Sequence, residues 1–129
     1  MARAIASLEL TCDPMHEYSI AIRLIDAVEA ELDARDLDGP VCRVEVLVGE
    51  LSGVVPEALA LAFEAAKADT RLATAALDLT VEPLVLWCID CRREWHAQEP
   101  FLLCDECGGL HVEIRSGQGL SVTGVDVED

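Results

Sequence analysis

Basic side chains are scarce in this chain: 9 Lys and Arg stand against 25 Asp and Glu over 129 residues, a formal net charge of −16. Phosphate backbones are held chiefly by Lys and Arg that displace condensed counterions, so nucleic acid is disfavoured as a partner. Aromatic residues make up only 4% of the chain, too few for a basic, aromatic binding face. No apolar run approaches the roughly 18 to 20 uncharged residues of a membrane span, because Glu, Asp or Arg recurs throughout. Met1-Ala2-Arg3 and Ala4 to Leu10 resemble a secretion signal only faintly, since Glu9 interrupts the apolar stretch and no small-residue cleavage site follows cleanly. The expected location is therefore cytoplasmic, where thiols stay reduced. Also lacking are a nucleophile with a base partner, a phosphate-binding glycine loop and a dinucleotide fingerprint. Gly117-Gln118-Gly119 has no third glycine and reads as a hairpin turn, and the chain is not expected to be an enzyme.

What is present is enough to fold. A hydrophobic fraction of 52% supports a real core, and the length fits one acidic domain with a small appendage. From Met15 to Leu37, Ile20, Leu24, Ile25, Val28 and Leu32 recur every three to four positions, which predicts an amphipathic helix. Asp13-Pro14 reads as its N-cap and first position, and Asp38-Gly39-Pro40 as its stop. Val41 to Leu51 changes to a period of two, with Cys42, Val44, Val46 and Val48 on the buried side of a strand. Pro56 opens a second helix along Leu59, Ala62, Phe63 and Ala66, ending near Asp69. Leu77, Leu79 and Val81 form another strand stopped by Pro83, and Leu120 to Val127 a last one, irregular at Gly124, that returns to the first sheet. The expected fold class is α+β: two helices on a small, mostly antiparallel sheet, with an inserted four-cysteine module. The divisions read are an extension over 1–14, an α/β domain over 15–84 completed by 116–129, and the module over 85–115.

Cys88-Ile89-Asp90-Cys91 and Cys104-Asp105-Glu106-Cys107 are two Cys-x-x-Cys pairs, each placing two sulfurs on one tight turn. Two such turns facing each other close a tetrahedron around a metal, and a module this short needs a staple. Zinc is the expected ion; with four sulfurs the coordination sphere is full, so the site is structural. Two redox pairs or disulfides, or iron in a rubredoxin-like site, use the same residues and remain as alternatives. Gly108-Gly109 permits a left-handed turn after the second pair, and Arg92 and Arg93 offset the charge of a zinc tetrathiolate. Cys42 reads as a small core residue and Cys12 as an incidental thiol. Trp87 and Trp95 are expected to pack the module, and His96 and His111 to lie at its surface or behind the ligands. Glu50 and Glu57 flank the turn after the first strand, where an acidic face and a helix-start carboxylate are the plainer reading over a metal-ligand role.

Met15-His16-Glu17-Tyr18-Ser19 puts an imidazole and a carboxylate side by side, a weak signal alone. Together with Val48-Gly49-Glu50-Leu51-Ser52-Gly53-Val54-Val55-Pro56-Glu57-Ala58-Leu59, Ala62-Phe63-Glu64, Trp87 before Cys88, both cysteine pairs and Val112-Glu113-Ile114-Arg115-Ser116-Gly117, it resembles the HypA/HybF family of hydrogenase nickel incorporation proteins. The resemblance runs from Met15 to the C-terminus. It implies a metallochaperone that binds nickel at His16 and Glu17, with the backbone of Met15 if that residue is N-terminal, and zinc at Cys88, Cys91, Cys104 and Cys107. It further implies delivery of nickel to the large subunit of nickel-iron hydrogenase alongside a GTPase partner of the HypB type; related proteins in some organisms also serve urease. A homodimer stays open.

A free Met15 amine, the deprotonated His16 amide and the His16 imidazole Nδ1 would form fused chelate rings in one plane, a geometry suited to Ni(II) and Cu(II). Residues 1–14 precede Met15 here, which departs from the family's pattern. Either translation starts at Met15 or the segment is removed, or else the extension stays and only the His16 and Glu17 side chains bind, more weakly and octahedrally. The function read from a different class is a zinc-ribbon protein-interaction module that handles no nickel.

Overall fold

The computed structural model describes residues 2–4, 8–10, 17–99 and 101–128. The elements run β1 (Ala2–Ala4), β2 (Leu8–Leu10), α1 (Glu17–Ala34), β3 (Val41–Gly49), α2 (Pro56–Ala66), β4 (Ala76–Glu82), β5 (Val85–Cys88), β6 (Arg93–His96), β7 (Val112–Ser116) and β8 (Leu120–Val127).

The period of α1 is the reason it packs. Ile20, Ala21, Leu24, Ile25, Val28 and Leu32 fall on one face, and all are buried. The helix closes before the expected Asp38-Gly39-Pro40 stop: Asp36 turns left-handed at φ 56°, and the Leu37 N–H reaches back to the Leu32 carbonyl at 2.9 Å. This is the usual helix-ending motif with Asp where glycine is commoner. The expected N-cap at Asp13-Pro14, and Cys12, Met15 and His16, lie outside the described residues.

The first sheet has the order β1-β8-β3-β4, with β2 also on β8. Strand β8 returns antiparallel to β3 as expected, and β4 lies parallel to β3 because α2 makes the crossover between them. All other pairings are antiparallel, so the sheet is mixed but mostly antiparallel. The irregularity expected at Gly124 is present: Glu45 pairs with Gly124 and Val46 with Val122, skipping Thr123. A second shift, between Val41 and Arg43, corrects the reading of Cys42. Val41 takes the fully buried place and Cys42 is left half-buried, because the extra residue flips the alternation. Strands β1 and β2, which the sequence did not announce, pair along β8 at Ala2–Ala4 with Val125–Val127 and at Leu8–Leu10 with Leu120–Val122.

The main core joins α1, α2 and this sheet around Phe63, Leu24, Leu32, Leu59, Val44, Val46 and Val122. The second sheet, order β6-β5-β7, has a much smaller core of Leu84, Leu86 and Ala97 with Leu51, Trp95, Val112 and Ile114 against it. The chain crosses between the two sheets twice, from β4 to β5 and from β7 to β8. Gly117-Gln118-Gly119 is not a hairpin turn, since β7 and β8 belong to different sheets. Gly117 sits at φ 88°, where any Cβ would lie 2.6 Å from the Leu84 Cα, so only glycine fits. Its carbonyl accepts from the Leu51 N–H at 2.8 Å, which ties the crossing to the end of β3.

Candidate metal centre

Cys88 ends β5, and Cys104 opens the turn beyond the 101–103 loop. Both are buried, whereas Cys91 and Cys107 are exposed. The two turns are built alike. The Arg92 N–H bonds the Cys88 carbonyl at 2.8 Å, and the Gly108 N–H bonds the Cys104 carbonyl at 2.9 Å. Each turn also aims an N–H at a sulfur, Cys91 at Cys88 Sγ and Gly109 at Cys107 Sγ, both at 3.4 Å. The left-handed position is filled by Gly108 at φ 70° in one turn and by Arg92 at φ 55° in the other. Gly109, expected to share that role, does not have a positive φ.

All four sulfurs lie within 4.8 Å of one another, with Cys88 to Cys107 at 3.8 Å and Cys91 to Cys104 at 3.9 Å. A tetrahedron with metal–sulfur bonds of about 2.3 Å has edges of about 3.8 Å, so the residues fit zinc. A disulfide would need sulfurs about 2.05 Å apart, and these cysteines are free. The thiols already feel one another. Backbone N–H groups of Cys107 and Glu106 bring Cys104 down to about 6, while the Cys107 and Cys88 thiols push Cys91 up to about 12. One thiolate is stabilised and its neighbour is held protonated, the imbalance a divalent cation removes.

Arg93 is the cation beside this cluster. Its guanidinium touches the Cys104 thiol, pairs with Asp105 of the opposite turn and stacks over Trp95 at 4.7 Å. Arg115 stacks the same way over Trp87. Both tryptophans are half-buried, and Trp95 packs against the small core as expected, whereas Trp87 is not among the residues packed there; their arginine partners were not legible. His111 Nδ1 lies 3.1 Å from Asp90, inside the first cysteine pair, and is exposed.

Glu50 is the residue whose role sequence reasoning missed. Its Oε1 accepts the Leu84 N–H at 2.6 Å and lies 2.9 Å from His96 Nε2. The Leu84 N–H, and then His96, hold the Glu50 carboxyl below the usual carboxylate range. Glu50 thus ties the end of β3 to the cysteine-bearing sheet. Glu57 is exposed in the first turn of α2. Glu17 opens α1, where a carboxylate suits the helix N-terminus. Its expected companions Met15 and His16 lie outside the described residues. No described helix is long and apolar enough to cross a membrane.

Residues 15–127 match the family model described as hydrogenase/urease nickel incorporation, metallochaperone, HypA. The hydrogenase maturation factor HypA of Streptomyces avermitilis is 44% identical over 117 residues, covering 89% of this chain and 88% of that protein. That of Solidesulfovibrio magneticus is 42% identical over 118 residues, covering 88% and 100%. The solution structure of the Ni metallochaperone HypA from Helicobacter pylori superposes with a TM-score of 0.65 at 26% identity, covering 88% of this chain and 97% of that one.

Proposed function

From the premise that this chain belongs to the HypA family of nickel incorporation metallochaperones, we propose that it carries Ni(II) at the Met15-His16-Glu17 segment and delivers it to the large subunit of a nickel-iron hydrogenase. A HypB-type GTPase works beside it in this reading, and the location is the cytoplasm. Residues 15–84 with 116–129 form the carrier domain, and residues 85–115 the zinc module.

One observation carries the division of labour: the four sulfurs form a closed tetrahedral set with no position left for a cargo ion. We assign Cys88, Cys91, Cys104 and Cys107 to zinc, which when bound supplies a staple for a small sheet. The chain's own part is to aim the sulfurs by backbone N–H groups and to set Arg93 against their charge.

Cargo needs an open and labile site instead. Affinity near micromolar, about 8 kcal/mol, permits hand-over. An imidazole and a carboxylate at the start of α1 supply that, with the His16 amide and a Met15 amine joining where the chain begins at Met15. The intact mass of the protein from its native host distinguishes the two forms of the site.

The test is calorimetry with Ni(II) on zinc-loaded protein. Saturable binding by the wild type, lost in His16→Ala, supports the carrier. Equal titrations would leave only a zinc-ribbon interaction module.

A further inference from the structure

The surface of the cysteine-bearing sheet is unlike the rest of the molecule. Of the ten large apolar side chains left exposed among the described residues, five are Ile89, Phe101, Leu102, Leu103 and Leu110, all between positions 89 and 110. Isolated exposed apolar residues need no explanation, but such a concentration marks a contact surface. Phe101 is 65% exposed and Leu103 46%, in the loop that leads into Cys104. With Trp95 and Ala97 they line a groove of about 260 Å³, mostly apolar, whose rim carries Glu99 and Asp105. That volume takes one or two aliphatic side chains, and strand β6, an edge of its sheet, runs along it.

Charge decides among the occupants. Asp105 is paired with Arg93, but Glu94 and Glu99 make no ion pair among the described residues. The bound metal with four thiolates would add net negative charge nearby. A nucleic acid or an anionic membrane is repelled by that rim. A second copy would bring another chain of −16 against the first. A basic polypeptide is attracted instead, and an extended one matches an open strand edge.

We infer that this groove is a docking site for an extended segment of a partner protein, one that places an aliphatic side chain between Trp95, Phe101 and Leu103 and Lys or Arg against Glu99. The groove shares no lining residue with the Met15-His16-Glu17 segment, so the two readings are tested separately.

The experiment selects a displayed random dodecapeptide library on immobilised full-length, zinc-loaded protein, then measures the affinity of the enriched peptides by fluorescence anisotropy. Enrichment of sequences with aliphatic residues flanked by Lys or Arg is the expected result. Their affinity falls about tenfold or more in Phe101→Ser and Leu103→Ser, as for a central apolar anchor, and falls further with added salt in the wild type than in Glu99→Gln. Both serines replace exposed side chains, and zinc stoichiometry checks that each variant is folded. Enrichment of acidic sequences, no enrichment, or binding indifferent to Phe101 and Leu103 overturns the proposal. So does sedimentation showing that the wild type dimerises through the groove while Phe101→Ser is a monomer.

Discussion

Stripping the metal with a strong chelator at neutral pH should melt one sheet and leave the other. Apart from Cys88 and Cys104, the residues that the small sheet buries are Leu84, Leu86 and Ala97. Two leucines contribute about 3 to 6 kcal/mol of burial, whereas structural zinc in small domains supplies an apparent 10 to 16 kcal/mol, roughly. Removing the metal thus takes away the larger share of what holds residues 85–116. The core around Phe63, Leu24 and Val44 does not touch the sulfurs and is large enough to stand alone. Amide hydrogen exchange reads this directly. Leu86, Trp87 and Ile114 should lose protection on chelation, while Val44, Val46 and Val122 keep theirs, and restored zinc should reverse the change. Unchanged protection at Leu86 would show that the metal is not the staple. Collapse of protection at Val46 would show that the two cores are one cooperative unit.

Smaller perturbations test the local arguments. Phe63→Ala, at a fully buried position, should destabilise the main core by about 3 to 5 kcal/mol in denaturant unfolding. Arg92→Gly should leave zinc affinity equal or up to about tenfold tighter, because it relieves a left-handed backbone, whereas Gly108→Ala should weaken it; chelator competition measures both. Glu50 has a folded pKa below its unfolded value, so its contribution to stability is complete above the ordinary carboxylate range and lost as pH falls through the lowered value. Carboxyl-carbon NMR should place its midpoint below the ordinary glutamate value, and a midpoint at or above that value contradicts the tie to Leu84 and His96.

How much of this could be read in advance depends on the range of the interaction. The face of α1 and the Cys-x-x-Cys pairs are local patterns, so Leu24, Val28 and the four sulfurs were legible. The return of β8 to β3 was legible from alternation, as was its irregularity near Gly124. The bulge that exchanges Val41 for Cys42 was not, since nothing in Val41-Cys42-Arg43 signals which residue is extra. Nor were the crossing at Gly117, the Glu50 tie or the arginines over Trp87 and Trp95, each set by residues distant in sequence. Arg93 is intermediate: its charge role followed from its place after Cys91, its pairing with Asp105 only from the fold.

The central claim separates an exchangeable nickel ion from a fixed zinc ion, and native mass spectrometry tests it most directly. Protein loaded with one equivalent of each ion is challenged with a mild chelator and followed by intact mass. The account predicts prompt loss of nickel with zinc retained, and no nickel uptake by His16→Ala. Nickel that displaces zinc from the sulfurs, or the loss of both ions together, would contradict it.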